Sequence, residues 1–232
     1  MKNILFTLAL LISFVSFGQT AEEYFNSGFD KASEKDYYGA IADYTKAIEI
    51  DPTAVSAYFN RGVSKSDLKD YNGAIADYTK AIELKPQYDT YFNRGRSKYN
   101  LKDHYGAIAD YTKAIEINPN SFTAYVNRSR SKSDLKDYNG AIADNNKAIE
   151  INPNDADIYS NRGFLKNNLK DYYGAIADYT KAIEINPNLF AAYFNRGLSK
   201  AFLGDINGAC QDARKSQDLG FDASKLIKIV CE

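Results

Sequence analysis

One histidine, two cysteines and one methionine are all that the 232 residues offer for imidazole, thiol or thioether chemistry. A metal centre needs three or four ligands converging on one point, and His104 has no set of partners spaced to join it. No nucleophile with a neighbouring base and no glycine-rich phosphate loop stands in the chain either. No catalytic, cofactor-binding or metal-binding residue is therefore assigned, and the chain is read as a non-enzyme. Its 29 Lys and Arg against 30 Asp and Glu leave a net charge of -1. Such a balance supplies no broad positive field to displace counterions from phosphates, which excludes a nucleic-acid binder of that kind. Cys210 and Cys231 lie ten residues to either side of Gly220-Phe221. If the chain folds back there as two antiparallel helices, the sulfurs come opposite one another, as a disulfide or as two buried thiols.

What the sequence offers instead is amides, guanidinium groups and aromatic rings, 19 Tyr and 13 Phe with no Trp, set at a fixed interval. Asparagine recurs at Asn26, Asn60, Asn93, Asn127, Asn161 and Asn195. An amide both donates and accepts, so it can pair with the N–H and C=O of an extended backbone without reading its sequence. Beside that column run Phe25, Phe59, Phe92, Val126, Ser160 and Phe194. One turn further on come Phe29, Val63, Arg96, Arg130, Phe164 and Leu198, so two guanidinium groups sit in the middle of an otherwise apolar column. Arg96 and Arg130 suit a ligand with an acidic centre, or else pair with neighbours such as Asp89 and Asp134.

The elements that carry these residues follow from the interval. The string Gly-Ala-Ile-Ala-Asp begins at 39, 73, 106, 140 and 174, and a weaker copy begins at 208. A period of 34 residues with two helical segments per unit predicts an all-α solenoid. The six units are placed at 21–54, 55–87, 88–121, 122–155, 156–189 and 190–223. In the second, Ser56–Leu68 is predicted as the first helix and Tyr71–Leu84 as the second. Ala74, Ile75, Tyr78, Ala81 and Ile82 share one face of the latter. Proline at 52, 86, 119, 153 and 187 closes five units by disfavouring helical geometry in the residue before it. Small residues stand where two helices must approach, Gly62 and Ala74 in the second unit, with Ser129 breaking the glycine column in the fourth.

Arg61, Arg94, Arg128, Arg162 and Arg196 are expected to pair with Asp77, Asp110, Asp144, Asp178 and Asp212 across the helices of one unit. The first unit has Ser27 instead of arginine. In the fourth, Asn145 replaces an aromatic ring, and a buried unpaired amide costs about 1–3 kcal/mol. His104 shares a column with Tyr37, Tyr71, Tyr138 and Tyr172, which marks it as a packing residue. Residues 224–232 are read as a closing helix with Asp222 as N-cap.

At the start, Lys2 precedes an apolar run from Ile4 to Phe17, and Ser16 with Gly18 fits a small-x-small cleavage site. Residues 1–18 are read as a signal peptide that leaves Gln19 first and no membrane-spanning segment behind. The expected location is the periplasm, the cell surface or the secreted fraction, where disulfides persist.

The 34-residue pattern Tyr58, Gly62, Tyr71, Ala74, Tyr78, Ala81 and Pro86, with equivalents in the other units, resembles the tetratricopeptide repeat (TPR) family. The resemblance covers residues 21–223 and implies a right-handed solenoid whose first helices line a concave groove. It places Asn60, Asn93, Asn127, Asn161, Asn195, Phe59, Phe92, Arg96 and Arg130 toward that groove as contacts for a protein or peptide partner. Some family members clamp chaperone C-termini through first-helix lysines; here those positions hold mostly Phe, Ser, Asp or Thr, so that ligand is not expected. The function expected is a protein-interaction scaffold binding an extended peptide or a helix. The alternatives are a carbohydrate-binding envelope module, if aromatic rings line the groove, and end-to-end self-assembly of near-identical repeats.

Overall fold

The computed structural model describes residues 19–232, so the signal peptide read at 1–18 lies outside the described residues. Among the described residues there are thirteen helices and no strand. Six antiparallel pairs follow one another: α1 (Ala21–Ser33) with α2 (Tyr37–Ile50), α3 (Val55–Asp67) with α4 (Tyr71–Leu84), and α5 (Tyr88–Asn100) with α6 (His104–Ile117). Then come α7 (Phe122–Asp134) with α8 (Tyr138–Ile151), α9 (Ala156–Asn168) with α10 (Tyr172–Ile185), and α11 (Phe190–Phe202) with α12 (Ile206–Asp218), closed by α13 (Ser224–Val230). Each second helix packs on the first helix of the next pair, and α1 touches α3, α3 touches α5, α5 touches α7 and α9 touches α11. The first helices thus share one continuous face of the solenoid.

Local chemistry sets the turn inside every pair. The carboxylate of Asp36, Asp70, Asp103, Asp137, Asp171 or Asp205 accepts the N–H of the glycine three residues on at 2.9–3.0 Å, capping the second helix. A Cβ on that glycine would overlap the capping carboxylate, which explains why the repeated string begins with Gly. The residue before each cap adopts the left-handed conformation that ends the first helix, the Asp36 N–H reaching the Lys31 carbonyl at 2.8 Å. Five units place a lysine there, Lys35, Lys69, Lys102, Lys136 and Lys170, at φ of 62 to 66°. Only the sixth uses glycine, Gly204 at φ 83°.

The core is a stack of small residues and tyrosine rings. Ala40, Ala74, Ala107, Ala141, Ala175 and Ala209 are fully buried, and so, within 1%, are Tyr44, Tyr78, Tyr111 and Tyr179. Each ring lies against a first-helix glycine so closely that a Cβ on Gly28, Gly62, Gly95 or Gly163 would stand 2.8–2.9 Å from it. Burial pushes the Tyr44 hydroxyl up to about 12 and raises those of the other three as well.

The expected arginine–aspartate pairs form, and each is larger than a pair. Arg61 donates from Nε and Nη2 to both oxygens of Asp77 at 3.0 and 2.6 Å, and Lys65 Nζ approaches the same carboxylate at 2.8 Å. The third guanidinium nitrogen, Nη1, reaches back to Thr45 Oγ1 of the preceding unit at 3.0 Å, while the Arg61 guanidinium lies 5.5 Å from the centre of the Tyr58 ring. The same set recurs with Arg94, Asp110, Lys98 and Thr79, with Arg128, Asp144, Lys132 and Thr112, and with Arg196, Asp212, Lys200 and Thr180. In the fifth unit Asn146 takes the place of the threonine, accepting from Arg162 at 2.7 Å. In the first unit Ser27 and Lys31 serve Asp43. The column that supplies the threonines ends at Arg214 in the sixth unit.

The closing helix starts one residue later than a cap at Asp222 would require. Ala223 is the N-cap residue, and Asp222 accepts from the Ser224 N–H and hydroxyl just outside the helix. Leu226 and Val230 seal Ala209 and Ala213, with Phe221 against Phe190 and Phe194. The first helix of the second unit likewise begins at Val55 rather than Ser56. Cys210 on α12 and Cys231 after α13 are joined as a disulfide, with Cα atoms 5.1 Å apart.

Three outcomes are expected from this scaffold. Lys69→Gly should raise stability by about 1 kcal/mol in denaturant titration, since glycine adopts a positive φ without strain. Arg94→Ala, which leaves Asp110 to Lys98 alone and cuts the bond to Thr79, should cost about 2 kcal/mol in the same measurement. A thiol assay on unreduced, denatured protein should find no free thiol, and reduction should lower stability by about 3 kcal/mol.

Candidate functional site

The asparagines recur at one helical position of the first helices, and two of them border a space toward the preceding first helix, Asn60 with Phe29 and Ser33 of α1 and Asn161 with Val126 and Arg130 of α7. Three of the column's amides are already engaged on their donor side. Asn60, Asn93 and Asn127 each donate from Nδ2 to the carbonyl four residues earlier, Ser56, Asp89 and Thr123, at 2.8 Å. One N–H of each amide is used in that bond, so each keeps a second N–H and its carbonyl oxygen for a ligand. Asn161 and Asn195 make no such bond among the described residues, and Asn161 is exposed.

The two phenylalanines assigned to the groove are mainly scaffold. Phe59 packs 5.9 Å from the Tyr78 ring, and Phe92 packs 5.7 Å from both Tyr111 and Tyr88, stacked on the latter. Both are half-buried, as are most rings that the sequence left free to face a ligand. The most exposed tyrosines, Tyr38, Tyr105 and Tyr173, stand on second helices, away from the asparagine row. On the first helices the exposed rings are Phe29, Phe164, Phe190 and Phe202.

Arg96 and Arg130 are exposed on α5 and α7, and neither has a carboxylate within 4 Å among the described residues. Asp89 and Asp134 do not pair with them. Arg96 makes one long contact, 3.4 Å, to the Asn93 oxygen, and the carboxylate of Asp134 lies 3.6 Å from His104 instead. His104 is thus held between Asp134 and the Tyr99 ring, 5.3 Å away, in its packing role. Two unpaired guanidinium groups one repeat apart, flanked by amide oxygens, can hold a carboxylate-bearing segment and accept its backbone N–H groups.

One part of this face escaped the sequence reading. Between α7, α8 and α9 lies a cavity of about 160 Å³, bordered by Val126, Ser129, Arg130, Asn145, Asn161 and Phe164. The signals for it, serine in the glycine column at 129 and asparagine in the tyrosine column at 145, were both visible. Their adjacency in space was not.

No group of three or more His, Cys, Asp or Glu suited to hold a metal occurs among the described residues, and no helix among them is long and apolar enough to cross a membrane.

The comparisons agree with this geometry. The family model for the tetratricopeptide repeat matches residues 55–88, 88–121 and 156–189, and a second TPR repeat model matches 31–66 and 133–170. No curated protein matches the sequence. Among solved structures, the C-terminal part of a TPR repeat-containing protein from Cytophaga hutchinsonii superposes with a TM-score of 0.75 at 19% identity, covering 84% of this chain and 78% of that one. MamA superposes at 0.70 with 24% identity, over 72% of this chain and 92% of that one. YrrB, described as a TPR protein with an unusual peptide-binding site, does so at 0.68 with 24% identity, over 74% and 89%. At such identities the likeness is one of fold. With the repeat models spread along the array and six helix pairs stacked in register, the chain belongs to the tetratricopeptide repeat family.

Proposed function

We propose that this chain is a non-catalytic protein-interaction scaffold that holds an extended peptide or a helix against the face of its first helices. One observation carries the reading: Arg96 and Arg130 are solvent-exposed and have no carboxylate within 4 Å among the described residues, beside asparagine amides that keep hydrogen-bonding capacity beyond their bonds to the scaffold. Unpaired guanidinium groups on a rigid face favour an acidic segment of the partner, and the amide oxygens favour one with free backbone N–H groups. YrrB, a structural neighbour, is described as having a peptide-binding site, which is consistent with such a use of the fold. The location proposed with it is the periplasm, the cell surface or the secreted fraction, a reading supported by the signal-type sequence at 1–18 and the Cys210–Cys231 disulfide.

Affinity capture from the envelope fraction of the producing cell tests it, with residues 19–232 as bait beside a variant carrying Asn60→Ala, Asn93→Ala and Asn127→Ala. A partner recovered by the first and lost by the folded second is expected. Recovery of the same proteins by both would remove the amide row from the contact surface. A partner retained when Arg96 and Arg130 are both changed to Ala would remove the acidic segment.

A further inference from the structure

The fourth unit lacks two rings that the first three units use to fill their interior. The second-helix column of buried tyrosines, Tyr44, Tyr78, Tyr111 and Tyr179, reads Asn145 there, and the first-helix phenylalanine column reads Val126. The exchange is paired across the two helices. Where the other units set glycine against the ring, the fourth sets Ser129, whose Cβ is accommodated because no ring stands opposite, and whose Oγ donates to the Ala141 carbonyl at 3.0 Å. The sixth unit also lacks the tyrosine, having Ala213, but Leu226 of α13 comes within 3.5 Å of the Cβ position of Gly197 and occupies the space. Nothing among the described residues does the same for the fourth unit, and the cavity of about 160 Å³ remains. It lies where α7 and α9 pack together less extensively than the other successive first helices.

Its walls are chemically specific. Val126, Leu165 and the half-exposed ring of Phe164 supply apolar surface, while Asn145 is 1% exposed and its Nδ2 has no hydrogen-bond partner among the described residues. An orphan donor at that depth costs about 1–3 kcal/mol and selects for a ligand that brings an acceptor. At the rim stands Arg130, exposed and without a carboxylate within 4 Å among the described residues. A cavity of ~150 Å³ holds one benzene ring, so the volume here suits one aromatic side chain and no more.

We propose that this cavity binds a single tyrosine side chain of the partner, its hydroxyl oxygen accepting from Asn145 Nδ2 and an adjacent carboxylate of the same segment paired with Arg130. The ligand ring takes the place of the ring that the fourth unit lacks. A buried donor that needs an acceptor also discriminates: phenylalanine would fill the same volume and leave the amide unpaired. That the tyrosine belongs to a protein rests on the scaffold reading above; the pocket chemistry itself does not.

The test uses residues 19–232 and two small probes, para-hydroxyphenylacetate and phenylacetate, followed by calorimetry and by the side-chain amide resonances of Asn145. The hydroxylated probe should bind and shift those resonances. Phenylacetate should bind about tenfold more weakly, and Arg130→Ala should weaken the hydroxylated probe by a similar factor. Ser129→Gly with Asn145→Tyr lets the chain fill its own cavity; the doubly substituted protein should melt at a higher temperature and bind neither probe. Should that protein misfold, Asn145→Leu, which keeps Ser129, serves the same purpose. No detectable binding to the unaltered protein at millimolar probe, equal binding of the two probes, or undiminished binding after the cavity is filled would each overturn the proposal. The capture experiment separates the two ideas. A partner lost with the asparagine-row variant but kept by the cavity-filled protein removes the tyrosine pocket and leaves the scaffold. Probe binding that obeys the pattern above, with no protein captured by any bait, upholds the pocket and removes the scaffold.

Discussion

A buried carboxylate governs each unit of this array. Asp77, Asp110, Asp144, Asp178 and Asp212 have side chains only 3–5% exposed, and an ionised carboxylate is tolerated there only if its oxygens are matched by donors of opposite charge. The arginine of the first helix supplies two bonds and the lysine one turn later supplies a third. Those two cations fix how the helices of a pair lie against each other, and with them the approach of glycine to tyrosine that closes the interior. The demand of one charge for partners thus propagates into helix spacing, ring burial and the face that the first helices present. In the first unit the arginine is replaced by Ser27, and Asp43 still finds two donors; burial raises the affinity of its carboxyl for a proton, yet the bonds from Lys31 and Ser27 hold it below its usual range.

Much of this was legible because repetition turns single residues into columns. The second helix Tyr71–Leu84 is found at the expected residues, since an aspartate cap at one end and a proline near the other mark it twice. First helices are marked less sharply at their start: Ala54 and Leu189 cap without a side-chain bond, whereas Ser121 and Asp155 cap with one, yet all four helices begin at the same position of the repeat, Val55, Phe122, Ala156 and Phe190. The arginine–aspartate pairing was readable from composition, because both columns exist in five units. The bond from arginine to the previous unit's threonine was not, since it crosses from one repeat to another and no charge announces it.

The candidate site was legible in kind and not in detail. Arg96 and Arg130 are exposed and Asn60, Asn93 and Asn127 bond back along their own helices, while Phe59 and Phe92 brace buried tyrosines, because a column beside a groove is also a column above the core. Asn145 illustrates the limit. Alone it reads as a costly amide in an aromatic position; only with Ser129, sixteen residues earlier and directly across the helix pair, does it mark a space left open. Substitutions in a repeat protein carry meaning in facing pairs, and pairs are a property of the folded chain.

The backward bond from arginine to threonine also bears on how far the array can run. Every internal junction is made by an arginine of one unit and a threonine or asparagine of the unit before it. At the first unit the arginine position holds Ser27, which bonds its own aspartate, and at the sixth the threonine position holds Arg214. A second copy stacked end to end would set Arg214 against Ser27, so the arginine-to-threonine bond that makes the internal junctions would be absent there, and an added copy would also meet α13, which packs on α12 at that end.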